Sequence, residues 1–348
     1  MINWVPDKKI DCELVNNLLT NSINTKQFTN YGPNVELFEK YIADKFEIQN
    51  DKAVIVVVNA SLGIQILTQG INFYENCDIQ WATQSFTFPP SNQGTLSNSI
   101  ILDIDYEGGL NLSEVTDNVQ GLIVTNIFGN IVDINKYVNF CNENNKFLVF
   151  DNAATHYSFY NGINCLNYGH GCIVSFHHTK PFGFGEGGAI IVDRKYENII
   201  RKLINFGIGY DVNKYYLQEA NNCKMSDIQA VYIMQYLINN FDIILNKHQQ
   251  LYCYLIEKIK TYNVKLYPSF HDKNKNILSC FSLLFNSYEE SKIAENKLLE
   301  HNIFCRKYYH PLKNTLITDD IYGKILCIPC HKDMSFDDVD TILEIIFS

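Results

Sequence analysis

A single lysine, Lys180, lies between two histidines and a run of glycines in the stretch FHHTKPFGFGEGG, residues 176–188. Three kinds of chemistry fit these residue types. The glycine run matches the spacing of a dinucleotide-binding loop, and the adjacent His177 and His178 suggest a metal site. Lys180 itself is a candidate for covalent attachment of a cofactor. The segments around the stretch decide among these interpretations.

The first two interpretations conflict with the flanking sequence. A dinucleotide-binding loop opens a helix, because the helix N-terminus holds the pyrophosphate. Here the glycines lead into AIIV, residues 189–192, which has the pattern of a strand. Adjacent histidines on a strand point to opposite sides, which does not suit a metal site. The CxxC at 327–330 has no second pair. We therefore expect neither a dinucleotide loop nor a metal.

Covalent attachment through lysine requires partners elsewhere in the chain. A pyridoxal phosphate (PLP) enzyme needs an acid at the pyridine nitrogen, phosphate donors and a flat group against the ring. Asp151 ends the apolar run KFLVFD, and Ala60-Ser61 follow the run VIVVVN before a helix, where backbone N–H groups bind phosphate. Ser175 and Phe88 supply a hydroxyl and an aromatic ring. Each position also has a structural alternative, as a helix cap or as core.

Composition favours a soluble globular protein. The chain has 348 residues, 46% hydrophobic and 19% charged, which predicts two domains with a substantial core. Its net charge of -10 argues against sequence-independent nucleic-acid binding. The N-terminus lacks a signal-peptide pattern, and the apolar runs are too short to cross a membrane. Eleven cysteines occur singly, so we expect reduced thiols and a cytoplasmic location.

Apolar strand-like runs alternate with helical stretches in the first two-thirds of the chain. This order predicts an α/β layer with a mostly parallel sheet covered on both faces. The expected strands are 53–58, 78–83, 99–104, 121–126, 146–151, 172–176 and 189–193. One helix is expected to begin near Pro33, the helix after Ser61 to close at Gly70, and a third to cover 134–144.

The last third of the chain predicts a smaller domain. A long periodic segment at 225–260 is expected to form one helix that bridges two domains. Strand runs at 277–285 and 324–328, with helices at 288–301 and 336–347, are enough for a small α/β domain. We place the boundary between residues 1–240 and 241–348.

The order of these motifs resembles that of the DegT/DnrJ family of nucleotide-sugar aminotransferases, almost from end to end. The segments that carry the resemblance are TNYGPNVELFEKYIADKF, NASLGI, TQSFTFPPSN, SIILDIDYEGGLNL, NIFGNIVDI, VFDNAATH, SFHHTKPFGFGEGGAIIV, ANNCKMSDIQA and NIFCRKYYHPL. The block around Lys180 is the most specific. The resemblance implies PLP fold type I, with a three-layer α/β/α large domain on a mostly parallel seven-stranded sheet and a small C-terminal α/β domain.

The resemblance also implies roles for residues around the cofactor. Lys180 would be the Schiff-base lysine and the proton carrier, Asp151 would pair with the pyridine nitrogen, and Phe88 would stack on the ring. Ser61 and Ser175 would bind the phosphate.

Two further contacts follow from the same resemblance. The backbone of Ala60 would complete the phosphate site, and Asn222 would reach the phosphate from a second subunit, so the active unit would be a homodimer.

Three positions depart from the family pattern. Ala154 stands where a Gln or His usually contacts the 3'-oxygen of the cofactor, so we expect that contact from His156 or from water. Ala60 replaces the usual glycine of the phosphate turn, and Lys224 replaces a frequent arginine.

The resemblance implies transamination with L-glutamate as the amino donor. Our first choice of acceptor is UDP- or dTDP-linked 4-keto-6-deoxyglucose, giving viosamine, and amination at C3 of a 3-keto-6-deoxyhexose is the runner-up. Dehydration ranks below both alternatives because Lys180 is present. A sensor that binds without turnover also ranks below both. The candidates for substrate contact are Tyr31, His178, Arg306, Lys307 and Tyr308, and a solvated basic pair is the alternative for Arg306 and Lys307.

Overall fold

The computed structural model describes residues 1–209, 213, 215–262, 264–268 and 276–348. The helices are α1 (Cys12–Thr25), α2 (Pro33–Lys45), α3 (Ala60–Glu75), α4 (Ile134–Glu143), α5 (Glu197–Leu203), α6 (Asp227–Ile259), α7 (Tyr288–Glu300), α8 (Leu316–Lys324) and α9 (Phe336–Phe347). The strands are β1 (Lys52–Val57), β2 (Trp81–Gln84), β3 (Ile100–Leu102), β4 (Gly121–Thr125), β5 (Phe147–Asp151), β6 (Phe159–Tyr160), β7 (Ile163–Asn164), β8 (Gly171–Ser175), β9 (Gly188–Asp193), β10 (Lys265–Leu266), β11 (Phe281–Leu284) and β12 (Ile325–Ile328).

The large sheet confirms the predicted α/β fold class. Within the described ranges it has seven strands in the order β1-β9-β8-β5-β4-β2-β3. Strand β9 runs antiparallel to both of its neighbours, and the other pairs are parallel. Strands β1, β2, β4, β5 and β8 therefore run the same way, and their carboxyl ends meet at one edge.

Side chains alternate between two buried faces of this sheet. Ile55, Ile123 and Ile173 belong to a cluster with helices α3 and α5 on one face. Val124 and Phe150 belong to a second cluster with α2, α4 and α6 on the other. Because both faces are covered, the strands read as continuous apolar runs. This packing explains why they were recognisable in the sequence.

The predicted end of α3 at Gly70 is wrong. The helix continues to Glu75 and ends at Asn76, whose φ is 51°. Gly70 serves packing instead, because a Cβ there would lie 2.5 Å from Ile200 Cγ1. The glycine thus lets α3 and α5 approach each other closely.

Helix α1 was not expected from the sequence. Among its residues only Val15 and Ser22 are buried. The Asp11 side chain caps it by accepting a hydrogen bond from Leu14 N at 3.0 Å.

Helix α6 forms the long connection expected between the two parts of the chain. Phe241 and Ile244 pack in the cluster under the large sheet, whereas Leu251 and Leu255 pack with the small sheet β10-β11-β12. The exact boundary at residue 240 stays a prediction. No helix in the described ranges has the length and apolar character needed to cross a membrane.

A buried carboxylate ties the large sheet to helix α8. Asp103, just after β3, accepts hydrogen bonds from Ile317 N at 2.8 Å, Thr318 N at 2.9 Å and Thr315 Oγ1 at 2.8 Å. Thr315 is the N-cap residue of α8, but its side chain accepts no hydrogen bond from a backbone amide of the helix. The Asp103 carboxylate takes its place and accepts from the first-turn amides of Ile317 and Thr318. Burial raises the pKa of Asp103, but the hydrogen bonds outweigh it and hold the pKa below its usual value.

We predict that Asp103→Ala lowers the free energy of unfolding by about 3 kcal/mol, since it leaves several buried donors without an acceptor. Urea unfolding measures the change. Asp117→Ala, at an exposed acid of the same region, is the matched control and should alter stability by less than about 0.5 kcal/mol. Equal, small effects of the two changes would contradict the role given to Asp103.

Candidate active site

A cavity of about 480 Å³ lies where the carboxyl ends of the parallel strands meet residues of the C-terminal part of the chain. Thr125 ends β4, Asp151 ends β5 and Ser175 ends β8, and all three line it. The first turn of α3 forms another wall. Ligands in open α/β sheets bind at this edge.

The structure brings together most of the residues predicted to hold PLP. Those that line the cavity are Ala60, Ser61, Phe88, Asp151, Ser175 and Lys180, and two of the predicted substrate contacts, Arg306 and Tyr308, line it as well. They come from five separate segments of the chain. The predicted cofactor contacts His156 and Asn222 do not line it, and neither do the predicted substrate contacts Tyr31, His178 and Lys307.

Lys180 projects from a tight turn after β8. Its backbone N donates to His177 O at 2.8 Å, and Gly183 N donates to Lys180 O at 3.0 Å. Within the described residues, the Lys180 side chain makes no hydrogen bond to a charged group. The charged groups near it act on its amine only by long-range electrostatics. Burial lowers the pKa of its amine, the Asp151 carboxylate opposes that shift, and the Arg306 guanidinium adds to it. A lowered pKa increases the neutral, nucleophilic fraction of the amine.

Asp151 is the buried acid of the cavity, with 5% of its surface exposed. Its Oδ1 accepts a hydrogen bond from Ala153 N at 3.0 Å. Burial raises the pKa of this carboxyl, against the effects of that hydrogen bond and of Lys180. A cationic group beside it would favour the carboxylate again. Asp151 therefore suits a protonated ring nitrogen.

The N-terminus of α3 has the form of a phosphate site. Asn59 caps the helix by accepting from Leu62 N at 2.9 Å, which leaves the first amides, near Ala60 and Ser61, free to face the cavity. Gly188 of β9 packs directly behind, since a Cβ on it would lie 2.6 Å from Ala60 N. Ser175 Oγ accepts from His177 N at 3.2 Å and adds a hydroxyl. These groups fit the phosphate of PLP.

Aromatic side chains frame the cavity opposite the strands. Phe88 is 54% exposed, and its ring lies 6.5 Å from that of Tyr309, at 63°. The Phe88 ring is thus free to cover a flat group. Tyr309, which sequence analysis did not single out, stacks on Phe128 with the ring centroids 5.1 Å apart.

Arg306 supplies a cation to the cavity. Its guanidinium lies 4.8 Å from the centre of the Trp4 ring, and its Nη1 donates to Tyr308 Oη. Trp4 also lines the cavity. Trp4 was not recognisable from the sequence, because the first eleven residues have no periodicity or motif.

His156 does not line the cavity, so its contact with the cofactor stays a prediction. His156 is 2% exposed, and its Nε2 lies 2.7 Å from Ser175 O. Its ring packs among Phe46, Phe176 and Phe182, away from the cavity. Burial lowers its pKa to about 3, so the ring is neutral.

Lys307 does not line the cavity either, and its contact with the substrate stays a prediction. Its Nζ donates to Gly323 O at 2.8 Å and lies 4.8 Å from the Tyr288 ring. Neighbours on an extended segment point to opposite sides, so Arg306 faces the cavity and Lys307 faces away.

The same alternation places His177, and not His178, on the cavity wall. His178 packs on Phe184, with the ring centroids 5.6 Å apart. His177 Nε2 lies 3.5 Å from Glu186 Oε1, and its Nδ1 lies 2.9 Å from Thr179 Oγ1.

Tyr31 and Asn222 lie outside the cavity of their own chain. Tyr31 Oη donates to Arg201 O at 2.7 Å. Asn222 is exposed, and its Oδ1 accepts from Lys224 Nζ at 2.7 Å. The contact of Asn222 with a second subunit stays a prediction. Within the described ranges, no three His, Cys, Asp or Glu side chains cluster as a metal would require.

Comparison with known proteins supports the assignment from geometry. The DegT/DnrJ/EryC1/StrS aminotransferase family matches residues 9–347. Protein Rv3402c of Mycobacterium tuberculosis is 26% identical, over 91% of this chain and 82% of that protein. The dTDP-4-amino-4,6-dideoxy-D-glucose transaminase of Shigella dysenteriae is 24% identical, over 92% of this chain and 91% of the enzyme.

A solved structure confirms the fold. The crystal structure of DesI, analysed in the presence of its TDP-sugar product, superimposes with a TM-score of 0.83 at 19% identity, over 99% of this chain and 92% of that chain. The family match covers nearly all of the sequence and includes every residue that lines the cavity except Trp4. The chain therefore belongs to the DegT/DnrJ/EryC1/StrS aminotransferase family and is a PLP-dependent sugar aminotransferase.

Proposed function

We propose that this protein transfers the amino group of L-glutamate to carbon 4 of a nucleotide-linked 4-keto-6-deoxyglucose, giving a 4-amino-4,6-dideoxy sugar of the viosamine type. The observation that carries the proposal is the pairing of an unengaged Lys180 amine with the buried Asp151 carboxylate in one cavity. The similarity to the Shigella dysenteriae transaminase supports the choice of sugar.

The proposed roles of the residues follow from their positions. Asp151 would hold the ring nitrogen, the α3 N-terminus with Ser61 and Ser175 the phosphate, and Phe88 one face of the ring. When bound, PLP supplies an electron sink for the carbanion that forms at the carbon bearing the amine.

Lys180 would act as the mobile acid and base of the reaction. Its amine takes the proton from the Cα of the amino donor and holds it at Nζ until it is returned. Because burial lowers its pKa, Nζ exchanges a proton more readily near neutral pH than an exposed lysine would. A positioned general base of this kind contributes roughly 10²–10⁴-fold to the rate.

The active unit in this proposal is a homodimer. Asn222 is exposed and does not line its own cavity, and the same segment exposes Phe206, Tyr215 and Tyr216, apolar surface of the kind that a partner covers. A second copy seated there would bring its Asn222 toward the neighbouring phosphate site. A monomer in sedimentation experiments would contradict this arrangement.

We also propose that the enzyme acts in the cytoplasm. The eleven cysteines are all free in the structure, which suits a reducing compartment.

Incubation with L-glutamate and the UDP- or dTDP-linked 4-keto sugar tests the proposed reaction. We expect 2-oxoglutarate and an amino sugar in equal amounts by mass spectrometry, with nitrogen at C4 by NMR. Amination only of a 3-keto sugar would favour the C3 alternative. Loss of a hydroxyl without nitrogen transfer would contradict transamination.

Arg306 and Lys307 form a matched pair for testing substrate recognition. We predict that Arg306→Met raises KM for the nucleotide sugar at least about tenfold, because it removes the cation at the cavity wall. The KM for glutamate in the first half-reaction should change much less. Pre-steady-state measurement of the two half-reactions separates these effects.

Lys307→Met is the control, since Lys307 contacts Gly323 and Tyr288 outside the cavity. Its KM for the sugar should stay within about twofold of the native value. Equal effects of the two substitutions would refute a specific role for Arg306.

A further inference from the structure

An N-terminal lysine contacts the turn that carries Lys180. Lys8 Nζ donates to Lys180 O at 2.8 Å and to Gly183 O at 2.5 Å. These two carbonyls belong to the same turn, although Lys8 is more than 170 residues away in sequence. One ammonium therefore bridges the two ends of the turn.

The turn itself is closely packed. Gly183 N donates back to Lys180 O, and a Cβ on Gly183 would collide with the His177 carbonyl oxygen. Lys180 O thus accepts from Gly183 N and from Lys8 Nζ together. Removing Lys8 would leave the Gly183 carbonyl without its charged donor and release one restraint on the main chain of Lys180.

Within the described residues, Lys8 has no carboxylate partner to form an ion pair. Its Nζ lies 4.7 Å from the centre of the Tyr236 ring, and the main charged neighbour acting on it is another cation, Lys332. Burial, with a smaller contribution from Lys332, lowers the pKa of Lys8 to about 7. Placing an amine here costs free energy, so the two carbonyl contacts and the Tyr236 ring are the favourable interactions that keep it in place.

The segment around Lys8 is anchored on both sides. Asp7 N donates to Asp333 Oδ2 at 2.9 Å, and Asp11 N donates to Gln235 Oε1 at 3.1 Å. Asn3 O lies 3.0 Å from His331 Nε2, and Trp4 lines the cavity. Lys8 therefore reaches the turn from a fixed main chain.

We propose that Lys8 is a positioning residue, which holds the 180–183 turn so that the Lys180 amine faces Asp151 across the cavity. The inference rests on the proposed role of Lys180 as the residue that bonds PLP. Lys8 does not touch the cavity, so it would act on the cofactor only through Lys180.

A double-mutant cycle with Lys180 tests this claim. The dissociation constant of pyridoxal 5'-phosphate is measured by equilibrium dialysis for the native protein, Lys8→Met, Lys180→Ala and the double variant. We expect Lys8→Met to weaken binding about tenfold when Lys180 is present and less than twofold when it is absent. Lys9→Met, at the exposed neighbouring lysine, should leave binding unchanged.

Equal weakening in both backgrounds would show that Lys8 acts on the fold or on the cofactor directly, and would overturn the proposal, as would no weakening at all. If Lys8→Met fails to fold, Lys8→Gln, which keeps a shorter donor, replaces it in the same double-mutant cycle. The same outcomes then support or overturn the proposal.

Borohydride reduction followed by peptide mapping separates this inference from the proposed function. A reduced adduct on Lys180 without coupling to Lys8 overturns only the role of Lys8. No adduct on Lys180 in the native protein overturns both.

Discussion

The site depends on the common direction of strands β1, β2, β4, β5 and β8. Because these strands run parallel, their carboxyl ends deliver side chains to a single edge of the sheet. Asp151, Ser175 and the turn before α3 meet there although they are far apart in sequence. Antiparallel β9 returns the chain from Lys180 to the same sheet, with Gly188 against the start of α3. The cavity is thus a consequence of strand order.

Burial then determines the electrostatics of the two central groups. It lowers the pKa of Lys180 and raises that of Asp151, and each group partly offsets the shift of the other. The amine and the acid are therefore both closer to neutral than they would be in water. A cofactor with a cationic nitrogen and a phosphate supplies the charges that this site lacks, while the α3 N-terminus and Asp151 supply their counterparts.

Much of this arrangement was predictable from the sequence. Strands buried on both faces produce long apolar runs; Asp151 ends one such strand, and Lys180 lies in the turn after another. The differences concern the direction of side chains more than their position in the sequence. His156 and Lys307 lie near the site in sequence, but packing against Phe182 and hydrogen bonding to Gly323 direct them elsewhere. Gly70 read as a helix end because its contact with Ile200 is a tertiary one.

Residues that reach the site from a distance were not predictable. Trp4 and Lys8 belong to a segment without a motif, and only the folded chain places them beside Arg306 and the turn of Lys180.

The visible absorption spectrum of the purified protein, with and without L-glutamate, tests the central claim most directly. We expect a yellow species that bleaches with glutamate and that is absent or shifted in Lys180→Ala. A protein that stays colourless with added PLP, or a Lys180→Ala spectrum identical to that of the native protein, would contradict the assignment of Lys180.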